Sequence, residues 1–130
     1  MGMTFITGAS SGIGRSLARR LAANGEPVVV VARRKPLLDT LVEEIDRAGG
    51  QAMAIACDVT DRAGVRDAVR QAEARFGPTS CLVANAGGPL KTSEDGFSAE
   101  HLAAVLDLNV LGVANCIESV LPGMLERRSC

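Results

Sequence analysis

The sequence predicts an α/β protein, a doubly wound parallel sheet of about four strands with helices on both faces. Three observations predict it. A short apolar strand breaks into glycine and restarts as a helix between Met3 and Ala22. Short β-branched or apolar runs then alternate with helical periodicities along the whole chain. Gly8, Gly12 and Gly14 sit together at the first strand-to-helix junction.

The first junction organises the rest. Phe5, Ile6 and Thr7 have strand character, and Ile13, Leu17 and Leu21 recur at the four-residue spacing of a helix. Glycine alone lets a backbone turn this sharply while a ligand approaches it closely. The helix start that follows offers free N–H groups and the positive end of its dipole, which favour an anion. A strand, a glycine turn and a helix start form a phosphate cradle; this spacing points to a dinucleotide, with a purely structural turn as the alternative.

The remaining elements follow in order. The first helix stops at Asn24-Gly25. Val28 to Val31, opened by Pro27, is apolar on successive residues and therefore buried on both faces, as in a parallel sheet. Leu37, Leu38, Leu41, Val42, Ile45 and Ala48 form the next helix, up to Gly49-Gly50. Ala52 to Cys57 is the third strand, and Thr60 or Asp61 caps the helix carrying Val65, Ala68, Val69, Ala72 and Phe76. After Gly77-Pro78 comes a fourth buried strand, Cys81 to Ala84, which leads into Asn85-Ala86-Gly87. A polar loop from Leu90 to Phe97 precedes a long helix that begins at Ser98. Right-handed crossovers give strand order 3-2-1-4, with ligands at the carboxyl ends of the strands.

Bulk properties narrow the function classes. The chain has 130 residues, 47% hydrophobic and 22% charged, with net charge -1. One domain over residues 1–130 is expected, with no nucleic-acid partner. No apolar run approaches the roughly 20 residues of a membrane span and no secretion signal is recognisable, so no membrane partner and a cytoplasmic location are expected. The four cysteines form no Cys-x-x-Cys pair, and His101 is the only histidine. Free thiols, three of them in the core, and no metal site are expected. There are three Phe but no Trp and no Tyr.

Thr7-Gly-Ala-Ser-Ser-Gly-Ile-Gly14, Asp58-Val59, Asn85-Ala86-Gly87, Asn109 and the Leu121-Pro122-x-Met124 tail now stand together. The combination resembles the short-chain dehydrogenase/reductase family, whose sheet is of the Rossmann type. The resemblance covers the N-terminal half of that family. It implies that Gly8, Gly12, Ile13 and Gly14 cradle a pyrophosphate on backbone N–H groups, with the Ser10 and Ser11 hydroxyls beside them. It implies that Asp58 accepts from an adenine amino group and Val59 packs on the ring, the alternative for Asp58 being a helix cap. Asn85, Ala86 and Gly87 would border the cofactor ribose, the alternative being a plain turn.

The end of the second strand bears on cofactor choice. An acidic residue there would bind the 2′-hydroxyl of NAD, whereas an arginine accommodates the 2′-phosphate of NADP. This chain has Arg33-Arg34-Lys35, and no acid before Asp39. The expected cofactor is NADP(H), ahead of NAD; the alternative is a solvated basic run.

Asn109 is informative without the family. At about 100° per residue, it lies opposite the stripe of Glu100, Asp107 and Glu118, among Leu102, Val105, Leu106, Val113, Cys116 and Val120. An amide on an apolar face must be hydrogen-bonded. The resemblance makes Asn109 an active-site residue; the alternative is a satisfied core asparagine. The family's remaining catalytic residues, a Ser and a Tyr-x-x-x-Lys pair, have no counterpart here. The expectation is therefore a chain truncated before the chemistry and inactive alone. It would be the cofactor half of an oxidoreductase that acts on a small carbonyl or secondary alcohol. A non-catalytic nucleotide-binding or pairing module is the alternative, and a methyltransferase-like use of the sheet is disfavoured by the missing acid after the second strand. The apolar circumference of the helix over residues 98–121 predicts a homo-oligomer.

Overall fold

The structure, a computed structural model, describes residues 2–90 and 96–128. Strands β1 (Met3–Thr7), β2 (Val28–Ala32), β3 (Ala52–Ala56) and β4 (Thr79–Val83) form one parallel sheet. Its order is β3-β2-β1-β4, as the crossover rule predicts. In register, Phe5 lies between Val29 and Leu82.

The period-2 alternation of β2 divides its valines between two layers. Val28 and Val30 join Ile6 beneath α1 (Gly12–Ala23) and α2 (Lys35–Arg47). Val29 and Val31 join Met3 and Phe5 beneath α3 (Arg62–Phe76) and α5 (Gly112–Arg127). All four valines are 0% exposed, and burying each contributes about 1.5–3 kcal/mol relative to exposure. Asp61, not Thr60, caps α3: its Oδ1 accepts from the Gly64 N–H at 3.0 Å. Glu44 on α2 binds Arg15 at 2.8 Å and also Arg19, tying α1 to α2 over the first layer.

Several expectations need correction. The face of α1 that meets the sheet is Gly14, Ala18 and Ala22. Ile13 is 77% exposed and lines a cleft instead of meeting the sheet. The fourth strand starts at Thr79 and is only partly covered, since β1 is its one neighbour; Cys81 on it is exposed. Of the described thiols only Cys116 is buried, and Cys57 is half-buried. Cys130 and most of the polar loop, residues 91–95, lie outside the described residues.

The long helix is not uniform. Ser98 caps it, accepting from the His101 N–H at 3.1 Å. After α4 (Ala99–Leu106) comes a wider, π-helical turn, Asp107–Leu111, and then α5. The whole run Ala99–Arg127 is long and apolar enough to cross a membrane by length and composition, contrary to the expectation that no such run exists. It docks on the protein through Gly112, Cys116 and Val120. Leu106, Val110, Leu111, Ile117, Leu121 and Leu125 stay exposed. Leu106 was expected on the buried face with Asn109; the wide turn breaks the constant angular step on which that expectation rests.

Candidate functional site

The carboxyl ends of β1, β2, β3 and β4 open on one cleft of about 350 Å³. Gly8, Ser10, Ser11, Gly12 and Ile13 line it from the first junction. Arg33 and Arg34 line it from the end of β2, and Asp58 and Val59 from the end of β3. Asn85, Ala86 and Gly87 complete it after β4. These predicted site residues therefore converge, although they come from four separate stretches of sequence. Gly14 and Asn109 do not line the cleft; each supports it from behind.

The glycine turn is built for close approach. Gly8 and Gly12 have φ of 64° and 56°, which side chains other than glycine rarely adopt. A Cβ on Gly8 would fall 2.9 Å from the Ala86 backbone, and one on Gly14 would fall 2.6 Å from the Gly8 carbonyl oxygen. At Gly12, by contrast, a Cβ would meet nothing within 4 Å, so the turn is open on the cleft side. The first N–H groups of α1 have no partner within the helix, and Ser11, at the cap position, makes no side-chain cap hydrogen bond. No acidic residue occupies the first turn. These donors and this dipole suit a phosphate group.

Thr7 joins the turn to the loop after β4. Its buried Oγ1 accepts from the Asn85 N–H at 3.1 Å and the Ala86 N–H at 3.0 Å. Asn85 in turn donates from Nδ2 to the Gly8 carbonyl at 3.2 Å. The Asn85 side chain thus holds the underside of the glycine turn.

Charge is asymmetrically placed. Lys35 pairs with Asp39 at 3.1 Å, within one turn of α2. Among the described residues Arg33 and Arg34 form no ion pair, and α2 has no acid in its first turn. Two guanidinium groups therefore face the cleft at a helix start, where the dipole opposes them. Asp58 is the acid nearby. Thr60 donates to its Oδ1 from the backbone N–H at 3.0 Å and from the hydroxyl at 2.8 Å. Those two bonds, in that order, and then the Arg33 charge hold the Asp58 carboxyl below its ordinary range, against the effect of burial. Asp58 is thus an ionised acceptor at the cleft wall rather than the cap of α3.

Four residues of the cleft escaped sequence reasoning: Val31, Ala32, Cys57 and Leu108. The first three sit at strand carboxyl ends, the position where ligands bind in such sheets, and that rule could have found them. Burial, and then the Asp61 and Asp58 carboxylates, push the Cys57 thiol up to about 11. Leu108 lies in the wide turn and carried no signal. Asn109, beside it, points to the loop after β4. Its Oδ1 accepts from the Gly88 N–H and its Nδ2 donates to the Gly88 carbonyl.

Residues 3–130 match the family model of the short chain dehydrogenases. A short chain dehydrogenase of Pseudocercospora fijiensis is 39% identical over 128 residues, covering 95% of this chain and 41% of that protein. A 3-oxoacyl-(acyl-carrier-protein) reductase of Staphylococcus epidermidis is 38% identical over 125 residues, covering 95% of this chain and 51% of that one. Among solved structures, actinorhodin polyketide ketoreductase with NADPH superposes at a TM-score of 0.90 with 37% identity, over 97% of this chain and 49% of that chain. A metagenomic short-chain oxidoreductase in complex with NADP superposes at 0.89 with 29% identity, over 98% and 59%. The chain thus spans about half the length of the proteins it resembles.

Proposed function

The chain belongs to the short-chain dehydrogenase family, and on that footing we propose that its cleft is the NADP(H) site of an oxidoreductase acting on a small carbonyl or secondary alcohol. One observation carries the reading: the open glycine turn and two unpaired arginines face the same cleft, with no acid at the end of β2. Backbone N–H groups from Gly12 onward bind the pyrophosphate, with the Ser10 and Ser11 hydroxyls beside them. Arg33 and Arg34 take the 2′-phosphate, a planar donor set suited to it. Asp58 accepts from the adenine amino group, and Val59 forms the apolar wall under the ring. Asn85, Ala86 and Gly87 border the cofactor ribose. The nicotinamide, when bound, supplies or accepts the hydride. Asn109 belongs to the active site in this reading, and because its amide is engaged on Gly88, its side chain sets the shape of the loop beside the substrate.

Calorimetric titration of the purified chain with NADPH and NADH tests the proposal. NADPH is expected to bind at least roughly tenfold tighter, the scale of one charge-assisted contact. Equal affinities overturn the cofactor choice, and binding of neither overturns the site. A second reading, a non-catalytic module that pairs with another chain, is favoured by the exposed apolar residues along α4 and α5. The titration and light scattering together separate the two: a chain that associates but binds no NADPH favours the pairing module. Neither reading expects hydride transfer from these residues alone, which contain no tyrosine to act as the general acid.

A further inference from the structure

The turn that follows β3 is held from the far side of the fold. Asn115 on α5 donates from Nδ2 to the Val59 carbonyl at 2.8 Å. Three residues earlier on the same helix, Gly112 presses on Val59: a Cβ there would fall 2.7 Å from Val59 Cγ2. Val59 is 5% exposed and packs with Val65 and Cys116 while still forming part of the cleft wall. Other bonds form within the turn itself. Asp58 Oδ1 takes both Thr60 donors, and the Asp61 N–H donates to the Asp58 carbonyl at 2.9 Å. The Val59 carbonyl is the acceptor through which α5 grips the turn.

We propose that Asn115 is a positioning residue for the adenine subsite. Through the Val59 carbonyl it fixes the height of the Val59 wall and the aim of the Asp58 carboxylate, without touching the ligand. The proposal rests on the nucleotide reading of the cleft. The bond spans 56 residues of sequence, and it is the one side-chain hydrogen bond from α5 to this turn among the described residues. Loss of the donor leaves a part-buried carbonyl unpaired and the turn free to shift by the fraction of an ångström that separates contact from clash. Gly112 supplies the steric half of the same grip, so the wall is set by one repulsive and one attractive contact.

The test uses the full chain, adenosine 2′,5′-bisphosphate as the probe, and hydrogen exchange read by mass spectrometry. Asn115→Leu removes the donor at similar size, and Asn115→Asp keeps the shape but presents an acceptor to the carbonyl. Both variants are expected to bind the probe roughly tenfold more weakly, the scale of one lost hydrogen bond with its unpaired acceptor. Faster exchange is expected in the peptide covering residues 57–61, with β1 and α1 unchanged. If Asn115→Leu folds poorly, Asn115→Asp carries the test. Unchanged probe affinity, or faster exchange spread through β1 and α1, overturns the positioning role while leaving the nucleotide site standing. If the unsubstituted chain does not bind the probe, the nucleotide reading fails, and this proposal with it.

Discussion

Asn109 brackets the Gly88 peptide: its Oδ1 accepts from the Gly88 N–H at 2.9 Å, and its Nδ2 donates to the Gly88 carbonyl at 2.7 Å. The two bonds tie the wide turn of the long helix to the loop after β4. Gly87 is part of the arrangement, because a Cβ on it would collide with Asn109 Oδ1. Asn109→Ala leaves both Gly88 groups unpaired, and a loss of about 1–3 kcal/mol is expected by urea denaturation. Gly87→Ala alone should also destabilise, but less in the Asn109→Ala background, where the obstructing oxygen is gone. Additive effects in that double-mutant cycle would sink the account.

Arg33→Asp places an acid where the cleft has two cations and puts it beside Asp58, whose carboxyl the Arg33 charge helps to keep ionised. NADPH affinity is expected to fall about 10–100-fold relative to NADH, the range for a lost hydrogen-bonded contact to a charged group. Parallel titrations with the two cofactors check this, and an unchanged ratio would mean that the 2′-position lies elsewhere.

The thiols differ by environment. Cys81 is exposed on β4, whereas burial raises Cys57 and Cys116 each to about 11 from an ordinary 9.0. In a Cys130→Ser background at about pH 8, Cys81 should react first with a thiol reagent, and the other two slowly. The same shifts set a pH dependence. A group whose folded-state pKa is raised binds its proton more tightly when folded, so its stabilisation is complete below pH 9 and is lost as pH rises through about 11. Urea midpoints that stay level across that window would contradict the burial of the two thiols.

Leu111, Ile117 and Leu125 on the long helix, and Phe97 just before it, are exposed apolar side chains. Such surfaces mark interfaces or aggregation. The chain is expected to self-associate at tens of micromolar, and Leu111→Glu with Leu125→Lys should shift it toward monomer in light scattering. A monomeric unsubstituted chain would remove the argument for a homo-oligomer.

Much of this architecture could be read from local pattern. Val28 to Val31 declared a doubly buried strand because valine on successive positions has no solvent face to spare. The glycine turn and Asp58 were legible because strand, turn and helix signals fell in order around them. What escaped was set by distance in sequence. No pattern around Thr7 states that its hydroxyl will meet Asn85 and Ala86, since those bonds exist only once β1 and β4 are neighbours. Cys81 looked buried because an apolar run reads as covered on both faces, although the predicted order 3-2-1-4 already placed its strand at the edge of the sheet. Leu106 was misplaced because a helical wheel assumes one angular step throughout, and the turn at Asp107–Leu111 departs from it.

That turn gives the long helix two rotational phases. A π-helical turn accommodates an extra residue, so α4 and α5 are out of step with each other by about the 100° that one residue represents. Deleting a residue there would let the backbone relax into one regular helix. The cost would fall downstream: Gly112, Cys116 and Val120 would swing away from the sheet if Asn109 stayed on Gly88, or Asn109 would swing away if they stayed. Length should therefore be constrained more tightly than side-chain identity in this stretch. Val110→Ala should melt close to the native chain, because Val110 is exposed, whereas deletion of Val110 should unfold it. Equal stability of the two would mean that the helix halves slip past one another without loss.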